Sequence, residues 1–298
     1  MSFTFSDKNS GFGRKLFDEA LSIIEKSGVP FADSSLRELV RHFLGVDFPR
    51  ISLSGNNVIP ASADKLAALE EGIERLKKGE PPQYITGAAP LFGYDFYVDE
   101  NVLIPRFDTE VLVEKALEYI RPEARVLDLC SGSGCIGIAA AMSVNIQLAA
   151  CDISEGAGDV FKKNLSLLSS PYYAEHPPKF VLGDVFDPQI ETAFDEKFDF
   201  ILSNPPYIAY GEEKDLTADV LKEPHRALFS GESGLEFYRR IIPLGKILLK
   251  KGGYLFFECG KGQSSEIMNI MKENGYEDPV TVNDYNGIDR VVFASLPI

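Results

Sequence analysis

The sequence contains few of the residues and patterns that mark metalloproteins, secreted proteins and membrane proteins. Its three histidines, His42, His176 and His225, are scattered along the chain, which argues against a histidine-based metal site. Its four cysteines show no CxxC spacing, so the sequence indicates neither a zinc site nor a disulfide framework. No stretch approaches the ~20 apolar residues of a membrane span, and the first residues lack the apolar segment of a signal peptide. These absences predict a cytoplasmic protein without a bound metal.

Positive charge is also scarce, with 30 Lys and Arg against 45 Asp and Glu and a formal net charge of −15. Proteins that bind nucleic acid draw most of their affinity from clustered Lys and Arg, so no direct nucleic-acid partner is expected. A length of 298 residues exceeds one average domain and favours one large and one small domain.

The first part of the chain has the pattern of a small helical domain. Apolar residues recur at helical spacing in three groups: Leu16, Ala20, Ile23 and Ile24; Leu36, Leu39, Val40 and Phe43; and Leu66, Leu69, Ile73 and Leu76. Ser62 is placed to cap the third helix. Glycine and proline then punctuate short runs rich in Tyr, Phe and Val, which indicates a hairpin. We expect a helical substrate-recognition domain over residues 1–82, a β-hairpin linker over 83–104 and a larger domain over 105–298.

The larger domain alternates strand-like and helix-like segments. The strand-like runs are ARVLDLC, IQLAACDIS, KFVLGDVF, FDFILSN and GGYLFFECG, and PVTVNDYNGIDRVVFASL contributes two more around Asn286-Gly287, a strong hairpin signal. Strands that alternate with helices predict an α/β fold with a doubly wound, mostly parallel sheet of seven strands. The terminal hairpin is expected to form an antiparallel edge.

A glycine-rich loop follows the first of these strands. VLDLCSGSGCIG places Gly132, Gly134 and Gly137 between the strand and a helix, where backbone N–H groups can face a ligand. The spacing also fits the dinucleotide fingerprint, with Asp152 at the distance expected for a ribose hydroxyl. This loop alone is therefore consistent with a dehydrogenase.

Two further carboxylates favour a different cofactor. Asp128 lies inside the strand, where a dinucleotide site normally has an apolar residue, and a carboxylate there suits a cationic group such as the ammonium and sulfonium of S-adenosylmethionine. Asp184 ends a third strand. Ligands of doubly wound sheets lie across the carboxyl ends of the strands, so Asp128, Asp152 and Asp184 would face methionine, ribose and adenine in turn. Each aspartate alone could equally cap a turn.

The fourth strand ends in Asn204-Pro205-Pro206-Tyr207. Each proline fixes φ near −65° and lacks a donor, and a residue before proline is extended. The chain therefore leaves its strand in a rigid conformation that presents an amide and a ring, which suits a planar, uncharged group rich in donors.

VLDLCSGSG, CDIS, GDVF and SNPPY, in this order, resemble class I S-adenosylmethionine-dependent methyltransferases, which have a Rossmann-like fold. NPPY resembles the members that methylate planar amide or amino nitrogens. The flanking segments GEPPQYITG, LFGYDFYVDENVLIPR, PRFDTE, FECGKGQ and DRVVF resemble the bacterial peptide-chain release factor N(5)-glutamine methyltransferases. The chain departs from the commonest pattern at Cys130, where glycine is usual, and at Phe107, where proline is common.

The resemblance implies methyl transfer from S-adenosylmethionine to the glutamine of the Gly-Gly-Gln loop of class I release factors, with the helical domain and hairpin gripping the substrate. A monomer is the default expectation, and the sequence leaves the oligomeric state open. It implies catalytic roles for Asn204, Pro205, Pro206 and Tyr207. It implies cofactor contacts by Asp128, Cys130, Ser131, Gly132, Ser133, Gly134, Asp152, Asp184, Val185 and Asn204. Further candidates for the pocket are Arg106, Thr109, Glu110 and Glu258.

Three alternatives stay open at the level of sequence. An adenine amino methyltransferase acting on DNA or RNA would share NPPY, but it should carry a basic groove or a target-recognition insertion. A dehydrogenase would explain the glycine loop but not NPPY. A methyltransferase-like binding module without activity would not need the complete set of motifs.

Overall fold

The computed structural model describes residues 11–55, 57–168 and 170–298, which divide into two units. The first unit consists of the described residues up to Ala88 together with Asp215–Lys222, and the second of Ala89–Lys214 and Glu223–Ile298. The first ten residues of the predicted domain 1–82 lie outside the described residues. No helix in the described ranges is long and apolar enough to cross a membrane.

The first unit is helical. Its helices are α1 (Arg14–Lys26), α2 (Ala32–Leu44), α3 (Phe48–Leu53), α4 (Ala63–Leu76) and α5 (Pro82–Thr86). The three predicted groups of apolar residues lie on α1, α2 and α4, and their buried members form one core. The hydroxyl of Ser62 accepts a hydrogen bond from the backbone N–H of Lys65 at 3.4 Å and so caps α4. α5 crosses the predicted boundary between the helical domain and the hairpin linker, because Pro82 at its start and Gly87 after its end favour a short helix there.

The second unit contains a two-stranded hairpin and a seven-stranded sheet. The hairpin consists of β1 (Ala89–Leu91) and β2 (Tyr94–Phe96). The strands of the large sheet are β3 (Arg125–Leu129), β4 (Gln147–Asp152), β5 (Lys179–Leu182), β6 (Phe198–Ser203), β7 (Leu249–Glu258), β8 (Glu277–Asn283) and β9 (Asp289–Ser295). Their order is β5-β4-β3-β6-β7-β9-β8, with β9 antiparallel to both β7 and β8 and every other pairing parallel. The predicted α/β, mostly parallel sheet of seven strands is confirmed.

Helices cover both faces of this sheet. They are α6 (Glu110–Leu117), α7 (Cys135–Ser143), α8 (Glu155–Leu165), α9 (Pro171–Glu175), α10 (His225–Leu228), α11 (Glu236–Leu248) and α12 (Ser264–Glu273). Residues of α6, α7 and α8 share one buried core with Val126, whereas α11 and α12 share the other with Leu127 and Leu129. Successive side chains of β3 therefore point into opposite layers, as a doubly wound sheet requires.

Candidate active site

The strand order reverses at β3, because the chain proceeds from β3 to β4 and β5 on one side and later to β6 on the other. Ligands of open α/β sheets bind at such a point, beyond the carboxyl ends of the strands. A cavity of about 450 Å³ lies there, within the range of about 300–1,000 Å³ that is usual for small-molecule sites. The segments that follow β3, β4, β5 and β6 all line it.

Most of the glycine loop lines the cavity. Gly134 has a φ of 78° and immediately precedes α7. A Cβ atom added there would lie 2.3 Å from Cδ2 of Phe161. Any other residue would therefore clash with the core and would also strain the backbone at this positive φ. Of the predicted loop contacts, Cys130, Ser131, Gly132 and Ser133 line the cavity, whereas Gly134 lies outside its lining and donates its N–H to the carbonyl of Ser131 at 2.7 Å.

Asp152 and Asp184 both line the cavity. Asp152 holds the glycine loop, because its Oδ2 accepts from the N–H of Gly132 at 2.9 Å and its Oδ1 from Ser154 N–H at 2.9 Å. Burial raises the pKa of Asp152, although these two hydrogen bonds oppose the shift. Asp184 accepts from the N–H of Phe186 at 2.8 Å, and Val185 between them also lines the cavity.

Asp128 lies outside the residues that line the cavity and is fully buried. Its Oδ2 accepts from the N–H of Gly137 at 2.8 Å, while its Oδ1 has no hydrogen-bond partner among the described residues. Burial raises the pKa of Asp128 to about 7. The structure therefore places this side chain behind the glycine loop, and a direct contact with the cofactor stays a prediction.

The NPPY segment begins at the same edge of the sheet. Asn204 and Pro206 line the cavity, whereas Pro205 and Tyr207 lie outside its lining. The backbone carbonyl of Tyr207 accepts a hydrogen bond from Nε2 of Gln263 at 2.9 Å. The side-chain hydroxyl of Tyr207 lies 3.5 Å from Oε1 of Glu258. Before the prolines, the hydroxyl of Ser203 donates to the carbonyl of Leu129 at 2.6 Å, so the segment is fixed on both sides of its prolines.

The four further candidates have different positions. Arg106 and Thr109 line the cavity. Glu110 instead accepts from the N–H of Phe92 at 2.6 Å and holds the turn of the hairpin. Glu258 is buried at the end of β7 beside Tyr207, and burial raises its pKa to about 7.

Several lining residues were not predicted. They are Asn101, Val102, Leu103, Pro105, Cys135, Ile136, Cys151, Ile153, Ser154, Ala157, Gly183, Phe186, Arg226, Ala227 and Phe237. Ile153, Ser154, Gly183 and Phe186 are sequence neighbours of the predicted aspartates, so the strand-end argument could have found them. Arg226, Ala227 and Phe237 come from beyond NPPY, where no local pattern marks them.

The cavity fits the cofactor that the motifs predict. Carboxylates of Asp152 and Asp184 can accept from hydroxyl and amino groups, and Ile153, Val185 and Phe186 offer apolar surface to a planar ring. Ser131 lines the cavity, and its buried hydroxyl has no hydrogen-bond partner among the residues described. A buried hydroxyl without a partner is costly, so a polar ligand would satisfy it.

Two protein-family models match successive parts of the chain. The PrmC N-terminal domain matches residues 15–87, and the methyltransferase small domain matches residues 106–234. Among solved structures, the hMettl16 catalytic domain in complex with the MAT2A 3'UTR hairpin 6 has a TM-score of 0.52 and 16% identity, over 70% of this chain and 77% of that one. At this identity the likeness shows the fold alone.

Curated relatives match over nearly the whole length. The chain is 38% identical over 283 residues to the release factor glutamine methyltransferase of Geobacter sulfurreducens, covering 94% of this chain and 95% of that protein. It is 38% identical over 280 residues to the release factor glutamine methyltransferase of Clostridium acetobutylicum, covering 93% and 95%. The chain belongs to the release factor glutamine methyltransferase family, which confirms the resemblance predicted from its motifs.

Proposed function

We propose that this protein transfers a methyl group from S-adenosylmethionine to the side-chain amide nitrogen of the glutamine in the Gly-Gly-Gln loop of class I peptide chain release factors. Membership of the family makes the chain a methyltransferase, and the relatives from Geobacter sulfurreducens and Clostridium acetobutylicum are named release factor glutamine methyltransferases. The observation that carries the proposal is that Asn204 of NPPY and the glycine loop line one cavity. An amide-binding group and a cofactor site thus adjoin each other.

The residues of the chain would bind, orient and desolvate the reactants. A primary amide nitrogen is a poor nucleophile, because its lone pair is delocalised into the carbonyl group. The side-chain oxygen of Asn204 accepts one hydrogen of the glutamine NH2, and the main-chain carbonyl of Pro205 accepts the other. This pair of hydrogen bonds favours a pyramidal nitrogen whose lone pair is free to attack, while Tyr207 packs on the flat face of the amide.

Bound S-adenosylmethionine supplies an electrophilic methyl group on a positively charged sulfur. The loop residues from Cys130 to Ser133, together with Asp152 and Asp184, would hold it, because they line the cavity. Preorganised positioning of two reactants lowers the barrier by several kcal/mol, on the order of 7–11 kcal/mol in the best oriented cases.

The helical unit would recognise the release factor. Its match to the PrmC N-terminal domain over residues 15–87 supports a role shared with the relatives. We retain the limits 1–82, 83–104 and 105–298 for the recognition domain, linker and methyltransferase domain. The proposed enzyme is a monomer of the cytoplasm and does not bind nucleic acid. The net charge of −15 supports the absence of nucleic-acid binding.

Labelled-methyl transfer tests the substrate. Purified release factor, its Gln→Ala loop variant and nucleic acid are offered as parallel acceptors with labelled S-adenosylmethionine. Label on the release factor that is lost with the loop variant supports the proposal. Label on nucleic acid alone would show that the enzyme methylates adenine instead of glutamine. The comparisons do not favour this alternative.

A further inference from the structure

Glu223 is a buried carboxylate that joins two distant segments of the second unit. Its side chain is 1% exposed. Oε2 accepts a hydrogen bond from the backbone N–H of Ile104 at 2.8 Å, and Oε1 forms an ion pair with Nη2 of Arg106. The two hydrogen bonds span 119 and 117 positions of the sequence. A buried carboxylate is stable only when it is paired and hydrogen-bonded, so this geometry holds both segments together.

Both segments belong to the wall of the cavity. Arg106 and its neighbours Val102, Leu103 and Pro105 line it on one side of the junction. On the other side, Glu223 is the residue at which the chain re-enters the second unit after Asp215–Lys222. α10 follows at once and contributes Arg226 and Ala227 to the lining.

Arg106 and Arg226 are the cationic residues in the lining of this cavity. Burial raises the pKa of Asp152 and that of Tyr207; the positive charge of Arg226 opposes the first shift, and the positive charge of Arg106 opposes the second. Arg226 therefore acts on the strand-end carboxylate that faces the ribose, whereas Arg106 acts at the NPPY end, where the methyl-bearing part of a cofactor must lie. A guanidinium carries five N–H donors, so the pairing of Nη2 with Glu223 leaves donors for a ligand.

We propose that Glu223 is a positioning residue, which fixes the guanidinium of Arg106 to bind the carboxylate of the amino-acid group of the cofactor. This inference rests on the proposed function, since it assumes S-adenosylmethionine in the cavity. Arg106 binds the ligand, and Glu223 acts through Arg106 and through the backbone of Ile104. Arginine suits the role because its planar fork matches a carboxylate.

Calorimetric binding of two ligands tests the assignment without reference to turnover. One ligand is S-adenosylhomocysteine, and the other is its decarboxylated analogue, which lacks only the group that Arg106 would bind. Wild type should bind S-adenosylhomocysteine more tightly by a factor of about 10–100, as expected for a charge-assisted hydrogen bond. Arg106→Gln should abolish this preference by weakening S-adenosylhomocysteine alone.

Glu223→Gln should reduce the same preference, although glutamine keeps an oxygen for the N–H of Ile104. The double variant should lose no more than Arg106→Gln, because residues that act as one unit are not additive. Glu118→Gln is the matched control, since Glu118 pairs with Lys115 on the surface at 59% side-chain exposure. It should bind both ligands as wild type does. Should Glu223→Gln fail to fold, Glu223→Asp takes its place, because it keeps a carboxylate on a shorter side chain, and it should reduce the same preference.

Three results would overturn the inference. If Glu223→Gln weakened the binding of both ligands equally, Glu223 would only stabilise the wall of the cavity. Additive losses in the double variant would separate the two residues. A raised KM for the release factor with unchanged S-adenosylhomocysteine affinity would assign Arg106 to the protein substrate. Failure of the wild type to bind S-adenosylhomocysteine or to methylate the release factor contradicts the proposed function itself, so the two failures can be told apart.

Discussion

Asp128 on β3 accepts a hydrogen bond from the N–H of Gly137 on α7 at 2.8 Å, and a Cβ atom at Gly137 would lie 2.9 Å from the Cβ of Asp128. The aspartate thus bonds the first turn of the helix to the strand, and the glycine lets the two backbones come close. The loop between them lines the cavity. The contact between Asp128 and Gly137 therefore fixes the two ends of the glycine loop.

The free energy of unfolding should depend on pH through Asp128. Its pKa rises from 3.8 to about 7 in the folded protein, because burial disfavours the charged form. The native state then binds the proton more tightly than the unfolded chain, so this group's contribution to stability is complete below about pH 4 and is lost as the pH rises through about 7. The loss is at most about 4 kcal/mol, from about 1.4 kcal/mol per pKa unit.

Urea unfolding of wild type and Asp128→Asn between pH 4 and pH 8 measures this contribution. The neutral variant keeps an oxygen for the N–H of Gly137, and it should gain stability relative to wild type as the pH rises. Asp159→Asn is the control, since Asp159 is 78% exposed in its side chain. A difference between Asp128→Asn and wild type that stays constant over this range would contradict the prediction. Glu258 titrates with the same sign, so some pH dependence should remain in the variant.

Gly137→Ala should destabilise the protein although alanine favours helices. The new methyl group would lie 2.8 Å from Cδ1 of Leu148 as well as 2.9 Å from Asp128. Overpacking of this kind costs about 1–3 kcal/mol and exceeds the gain in helix propensity of about 1 kcal/mol. Thermal and urea unfolding should both show the loss. An unchanged or raised midpoint would mean that β3 and α7 can move apart freely.

Local patterns predicted the elements and part of the site. The short strand-like run of β3 and the helical period in α4 were sufficient to predict these two elements, and Ser62 caps α4 as expected. Strand ends also identified Asp152 and Asp184 in the lining. Asp128 shows the limit of that argument, because the alternation of β3 places its side chain on the layer of Val126 beneath α7. Arg226 and Glu223 could not be found, since only the closed fold brings them to residues 102–106.

Cys130 should accept glycine but not valine. It has a φ of 61° although it is not a glycine, a conformation that costs about 1–2 kcal/mol for a residue with a Cβ and more for a β-branched one. Cys130→Gly relieves this strain but loses the partly buried thiol, so its stability should stay within about 1 kcal/mol of wild type. Cys130→Val should lose about 2 kcal/mol or more.

Thermal unfolding of the two Cys130 variants should therefore separate them clearly. S-adenosylhomocysteine affinity, measured beside it, reports whether the loop keeps its shape, because Cys130 lines the cavity. Equal stability of the two variants would show that the loop adopts another backbone conformation when it is substituted.

Asn204→Ala should abolish most methyl transfer while the cofactor still binds. The loss of one preorganised hydrogen-bond partner costs about 10²–10³ in rate, and the aspartates and loop that line the rest of the cavity are unchanged. Single-turnover transfer to the release factor gives the chemical rate. Calorimetry with S-adenosylhomocysteine gives the dissociation constant, which is expected to change by less than about tenfold.

The position of Asn204 makes the separation of these two quantities informative. Asn204 follows β6 and precedes two buried prolines, so its replacement leaves the backbone of the segment in place. Asn204→Asp is the companion variant, because a carboxylate keeps the acceptor for the glutamine NH2 and should retain more activity than alanine. A near-normal rate in Asn204→Ala with intact binding would mean that Pro205 and Tyr207 orient the amide without it. Equal losses in alanine and aspartate would show that the neutral amide itself is required, since an acceptor at that position would then be insufficient.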